Sequence, residues 1–145
     1  MKWNIQSNSG STAAIWAVCH NHVKSVRILL TIPTINWNLR TNEKDYINLP
    51  PPYSSALIIA LRNGNKEMIN LVLSAGGLEL DIDHLKSQNV FDEAVTACQE
   101  FVFGKMGNDG IDDKEMITLF ALEHDMDDFA KILGMYLTIN PTTLA

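Results

Sequence analysis

Three residues that could bind a metal ion or act as a nucleophile, Cys19, His20 and His22, lie within four positions of the chain. Thiolate and imidazole groups are the ligands that zinc prefers in proteins. Cys19 and His20 are neighbours in a predicted helix, so their side chains point about 100° apart, and further ligands have to come from Cys98 or His124. No flanking signature of a cysteine enzyme accompanies either thiol. We therefore predict no metal, no cofactor and no catalytic residue, and keep a cysteine-dependent enzyme as an alternative.

A proline-rich run, Pro50, Pro51 and Pro52, directly precedes Tyr53. The run fits the Pro-Pro-x-Tyr pattern that WW domains bind as a polyproline II segment. The alternative interpretation is that the prolines stiffen an inserted loop and that Tyr53 packs beside the next helix. A WW-domain contact is therefore a secondary hypothesis about partners.

The charges are divided unevenly along the 145 residues, whose net charge is −6. Residues 1–78 contain seven Lys and Arg against three Asp and Glu, whereas residues 79–128 contain fourteen acids against three lysines. An acidic surface repels phosphate backbones and anionic membranes and attracts basic proteins. We predict no nucleic-acid or membrane partner, and an alternative function is an acidic inhibitor or mimic that captures a basic protein through residues 79–128. The acids expected to carry such capture are Asp109, Asp112, Asp113, Asp125, Asp127 and Asp128.

Composition is that of an ordinary folded globule, with 46% hydrophobic and 19% charged residues. No apolar run reaches the roughly 18 residues of a membrane-spanning helix, and residues 1–10 lack the basic start and apolar core of a signal peptide. Cys19 and Cys98 both fall inside predicted helices, which favours reduced thiols over a disulfide framework. We predict a single domain over residues 1–145, located in the cytoplasm.

Hydrophobic periodicity predicts helices in most of the chain. Apolar residues recur at spacings of three and four in two helix pairs, residues 11–31 and 54–73. Residues 56–61 are apolar all round, so this helix is predicted to be covered by neighbours on both sides. One further helix is predicted between Asn89 as N-cap and Gly104 as stop. Two more are predicted over about 112–123 and about 126–137, and insertions are expected near 40–53 and 82–112. The sequence therefore predicts an all-α solenoid of helix-turn-helix pairs with one extra amphipathic helix.

The first helix pair contains residues that resemble the ankyrin repeat. Residues 10–17, Gly-Ser-Thr-Ala-Ala-Ile-Trp-Ala, are similar to the ankyrin signature of Gly, Thr, Pro, Leu, His and Ala, and residues 21–30 are similar to its turn and leucine-rich second helix. This copy spans about 8–38, a second spans about 53–81, and a faint third spans about 112–138. The proline and the histidine of the signature are missing. The resemblance implies a short stack of helix pairs that binds proteins and has no catalytic residues.

The resemblance also implies where a partner binds. In ankyrin-like stacks the end of each first helix and the adjoining loop tips line one concave face, and here the inserted loop borders it. The partner-binding residues expected on this basis are Cys19, His20, Arg62, Asn63, Tyr46, Tyr53 and His124. Trp16 and Trp37 stand where the family has buried residues, so both are expected in the core. The preferred function is therefore a protein–protein interaction module.

Overall fold

The computed structural model describes residues 2–8, 10–42, 53–107 and 114–139, and in the last range the side chains of residues 116–134. The helices are α1 (Ala13–Cys19), α2 (Val23–Leu29), α3 (Ala56–Asn63), α4 (Lys66–Leu73), α5 (Ile82–Ser87), α6 (Phe91–Met106), α7 (Lys114–Glu123) and α8 (Asp127–Ile139). The described ranges contain no β-strand, so the predicted all-α class is confirmed. The chain forms two compact units, Met1–Glu79 and Leu80–Ala145. A single domain over the whole chain stays a prediction.

Capping side chains explain where α1, α3 and α4 begin, whereas His22 at the start of α2 makes no such hydrogen bond. Thr12 accepts a hydrogen bond from the backbone N–H of Ile15 at 3.1 Å, and Ser55 and Asn65 cap α3 and α4 in the same way. Such caps satisfy N–H groups that have no partner within the helix. Gly64 ends α3 with a positive φ of 71°, which glycine adopts without steric cost.

Helix α3 is the most deeply buried element of the first unit. Each of its residues 56–61 is at most 5% exposed. It packs against both α1 and α4, while α2 packs against the same two helices. The expectation that an all-apolar helix is covered by neighbouring helices is therefore confirmed. Each large aliphatic side chain buried in this way contributes about 1.5–3 kcal/mol.

Two hydrogen bonds join Thr41 and Ser54, which lie near the two ends of the predicted insertion at 40–53 and close its base. The N–H of Ser54 donates to the Thr41 hydroxyl at 2.9 Å, and the N–H of Thr41 donates to the Ser54 carbonyl at 3.0 Å. Both residues are buried. Tyr46, a predicted partner-binding residue, and residues 50–52, which carry the WW-domain hypothesis, lie outside the described residues.

The second unit is organised around α6, which packs against α5, α7 and α8, while α7 also packs against α8. The sequence predicts an apolar stripe on α6, of which Ala94, Val95, Cys98 and Val102 are buried and Phe91 and Phe101 are partly buried. Helix α8 buries Ile132 in the same core. The predicted amphipathic helices of this region are confirmed.

Three details of the second unit differ from the sequence-based prediction. Asn89 has a positive φ of 60° and precedes Val90, which is the N-cap of α6. Gly104 does not end α6, because an exposed glycine costs a packed helix only about 1 kcal/mol and the helix continues to Met106. The predicted insertion at 82–112 begins with α5, a six-residue helix that is too short to show a periodic pattern.

Replacing Gly10 with alanine is expected to destabilise the protein by about 1–3 kcal/mol, because any residue with a Cβ is strained at the φ that Gly10 adopts. That φ is +84°, and an added Cβ would lie 2.6 Å from the backbone nitrogen of Asn42. Chemical denaturation followed by circular dichroism measures the change. Gly76→Ala is the matched control, since a Cβ there meets nothing within 4 Å. Equal stabilities of the two variants would contradict this explanation.

Candidate protein-binding surface

An open groove of about 480 Å³ lies between α1 and α2 of the first unit. The α1 residues that line it lie on one face of the helix, because they are three, four and seven positions from the first of them. The lining residues are Ala13, Trp16, Ala17 and His20 from α1, His22, and Ser25, Ile28 and Leu29 from α2. Ile28 is 65% exposed, which is unusual for a large aliphatic side chain inside a concave surface. The volume falls in the range of roughly 300–1,000 Å³ that is typical of ligand pockets.

The groove occupies the side of α1 that does not face the core. Ala14, Ile15 and Val18 of α1 are at most 3% exposed. At 100° per residue these three side chains point away from the face that carries Trp16 and His20. Helix α1 therefore has two apolar faces, of which the core covers one.

Two rings on the exposed face of α1 stack on each other. The rings of Trp16 and His20 have centroids 4.8 Å apart and planes at 7°, and the ring of His22 lies 5.9 Å from that of His20. Trp16 is only partly buried, so the expectation that it belongs to the core is wrong. Trp37 is 3% exposed, so the expectation of a core position is confirmed for this residue. The difference arises because neighbouring elements surround Trp37, whereas Trp16 lines the open groove.

Four predicted partner-binding residues lie at the ends of two helices that pack together. Cys19 and His20 end α1, and Arg62 and Asn63 end α3. His20, Arg62 and Asn63 are exposed, and Cys19 is partly exposed. Their participation in partner binding stays a prediction.

The other two described partner-binding candidates occupy different places. Tyr53 is 50% exposed, has a φ of 55° and lies beside the closed base of the insertion. His124 belongs to the second unit, where its ring stacks on Phe120 at 3.9 Å and its Nδ1 lies 2.9 Å from the carbonyl oxygen of Phe120. The side chain of His124 is therefore oriented by its own helix.

Asn4 connects the N-terminal segment to the loop that follows α2. Its side-chain amide donates to the carbonyl of Thr34 at 2.9 Å, and its side-chain oxygen accepts from the N–H of Asn36 at 2.7 Å. An amide side chain can satisfy a carbonyl and an N–H at once because it is both donor and acceptor. This contact was not predicted from the sequence.

Asn38 repeats the same pair of hydrogen bonds one loop further along. It donates to the carbonyl of Gly77 at 2.9 Å and accepts from the N–H of Glu79 at 2.7 Å. The two asparagines are 34 positions apart, within Trp-Asn-Ile at residues 3–5 and Trp-Asn-Leu at residues 37–39. This internal repeat is the sequence signal that could have identified both residues.

The two cysteines are both free thiols. Burial raises the pKa of Cys98 to about 12, and burial also raises the pKa of Cys19. A thiol is nucleophilic only as the thiolate, so the structure gives Cys98 little reactivity near neutral pH. In the described part of the chain, no group of three or more His, Cys, Asp and Glu side chains could hold a metal ion.

The second unit exposes large apolar side chains on α7. Leu119 is 50% exposed and Leu122 is 55% exposed, three positions apart on one helix face. Ile117 and Ala121 of the same helix are at most 1% exposed. Helix α7 therefore resembles α1 in presenting an apolar face that no described neighbour covers.

Comparisons with protein-family models, curated proteins and solved structures found no match to this chain. The resemblance to ankyrin repeats consequently rests on the residues of the chain alone. Within the described ranges, no helix combines the length and apolar character needed to cross a membrane.

We expect a thiol-alkylating reagent to modify Cys19 well before Cys98 in the folded protein. Cys98 is fully buried and its raised pKa keeps it protonated, whereas Cys19 is partly exposed. Peptide mass spectrometry after timed exposure to iodoacetamide measures both rates. Denatured protein, in which both thiols react at similar rates, is the control. Faster modification of Cys98 in the native state would overturn the assignment of Cys98 as a structural thiol.

Proposed function

We propose that this protein is a protein–protein interaction module without enzymatic activity, which binds its partner at the groove between α1 and α2. The observation that carries the proposal is the exposed Ile28 within an apolar groove of about 480 Å³. Concave surfaces lined mainly by apolar and aromatic side chains, with a few polar groups, are typical of binding sites. The free cysteines fit a reducing cytoplasm as its location.

A comparison of the two helix pairs supports the groove as a packing surface. The N-caps Thr12 and Ser55 are 43 positions apart, and so are the N-caps of α2 and α4. With this offset, Trp16 corresponds to Ile59 and Leu29 corresponds to Val72. Ile59 and Val72 are at most 2% exposed. Trp16 and Leu29 thus correspond to core positions of the second pair, whereas Ile28 corresponds to Leu71, which is partly buried.

The repeated asparagine contacts support an ankyrin-like stack as the architecture. Asn4 and Asn38 each join one loop to the next through the same two hydrogen bonds. Their separation of 34 positions is close to the ankyrin period of about 33 residues. In such a stack Cys19, His20, Arg62 and Asn63 belong to the partner-binding face, and His20 also lines the groove.

Replacing Ile28 with glutamine is expected to weaken partner binding by more than about 1 kcal/mol, or about fivefold, because it removes the exposed apolar contact. Ile5→Gln is the matched control, since Ile5 is 64% exposed in the same unit but does not line the groove. Quantitative mass spectrometry of proteins captured from the source cell by each variant measures the loss. Arg62→Glu, at the end of α3, tests the adjoining surface in the same assay.

The proposal requires a set of captured proteins that Ile28→Gln loses and Ile5→Gln keeps. Thermal unfolding must show that both variants fold as the original protein does. Identical captured sets for the two variants would contradict binding at the groove.

Capture of a basic protein by the second unit is the second candidate function. The exposed Leu119 and Leu122 are followed by the exposed acids Glu123, Asp125 and Asp127, a combination suited to a basic amphipathic helix. Asp128 is exposed as well, whereas Asp109, Asp112 and Asp113 lie outside the described residues.

Capture through these acids should depend strongly on salt. We expect the affinity for a synthetic basic amphipathic peptide to fall at least about tenfold between about 20 mM and about 150 mM salt, since exposed charges are screened. Isothermal titration at the two salt concentrations measures this change. Asp127→Asn with Asp128→Asn should reduce the low-salt affinity, and an affinity that salt leaves unchanged would exclude electrostatic capture.

A further inference from the structure

Among the described residues, each unit leaves one apolar surface uncovered. In the first unit, the groove between α1 and α2 leaves Ile28 65% exposed. In the second unit, α7 buries Ile117 and Ala121 and leaves Leu119 and Leu122 about half exposed. Both surfaces are formed by helices, and a helix face with exposed leucines is the kind of element that fits a groove between two other helices.

The charges beside the two surfaces have opposite signs. Lys24 lies one helical turn before Ile28, residues 1–42 contain no Asp or Glu, and Glu67 of the neighbouring α4 is paired with Arg27 at 2.7 Å. Glu123 lies one helical turn after Leu119, and residues 115–130 contain no Lys or Arg. Residues four positions apart lie on the same helix face, so each apolar side chain has a charge directly beside it. Opposite potentials of this kind steer two surfaces together and set their register.

We propose that the groove of one copy of this chain binds α7 of a second copy. The inference rests on the groove being a protein-binding surface, as proposed above, and names its partner. Leu119 and Leu122 of one copy pack against Ile28 of the other, while Glu123 lies near Lys24. Because the two surfaces differ, each contact between a groove and an α7 is heterologous.

The size of the two surfaces sets the expected strength of this contact. Helix α7 has 10 residues and is about 15 Å long, and the groove lies between two helices of seven residues each. An interface formed by one helix on two short helices falls below the roughly 1,200 Å² of a standard stable complex. The association is therefore weak, reversible and dependent on protein concentration and salt.

Sedimentation equilibrium of the full chain tests the proposal over about 20 μM to about 1 mM protein at low salt, a range that covers weak affinities. The average mass should rise with concentration for the original protein and for the control Ile5→Glu. For Ile28→Glu, which places an acid in the groove, the concentration needed for association should rise at least about tenfold. Leu119→Lys, which places a base on α7, should have the same effect.

Mixing the two defective variants tests whether the contact is heterologous. Ile28→Glu keeps an intact α7 and Leu119→Lys keeps an intact groove, so the mixture should form a one-to-one dimer that neither variant forms alone. This recovery also shows that both variants are folded, because a misfolded variant could not restore binding. The double variant Lys24→Glu with Glu123→Lys, in which the two charges are exchanged, should associate more strongly than either single variant.

Two outcomes would overturn the inference. A constant monomer mass for the original protein up to the highest concentration at low salt excludes a second copy as the partner. If both variants associate as strongly as the original protein does, and mixing them adds nothing, the self-association uses another surface. If self-association fails while Ile28→Gln still loses proteins captured from the cell, the groove remains a binding site with a different partner. If Ile28→Gln loses no captured protein either, the proposed function fails as well.

Discussion

The burial of α3 is the constraint on which the first unit depends. Residues 56–61 of this helix are all apolar, and none is more than 5% exposed. A helix with apolar residues on every side gains stability only when neighbours cover all of its faces, and α1 and α4 do so here. Helix α2 packs against both of these neighbours. The position of α1, which lines the groove, is therefore a consequence of covering α3, whereas α2 is positioned by its packing against α1 and α4.

Loops between the helices have to satisfy their own polar backbone groups, and short polar side chains perform this role. Asn4 and Asn38 each join a carbonyl and an N–H group of the following loop. Thr41 and Ser54 pair across the base of the insertion. These hydrogen bonds join segments that are 13 to 41 positions apart, and each is worth about 1 kcal/mol, so they hold successive loops in register.

The open groove and the exposed face of α7 have a common physical origin. Stacked helix pairs bury apolar faces on their neighbours, and a helix without a neighbour on one side keeps that face exposed. Some groove positions correspond to core positions in the second helix pair, and Trp16, the counterpart of the buried Ile59, keeps an apolar residue at one of them. An apolar face is costly in water unless something covers it, so both open faces are suited to binding a partner.

The sequence by itself determined the helical class and most helix positions, because apolar spacing at three and four residues is a local signal. It also predicted the covered state of α3, since a helix that is apolar all round has no face for solvent. The tertiary structure alone decided that Trp16 lines a groove while Trp37 is buried, because the burial of a tryptophan depends on which elements pack beside it. The same reason applies to Leu119 and Leu122, whose exposure depends on how α7 packs against α6 and α8.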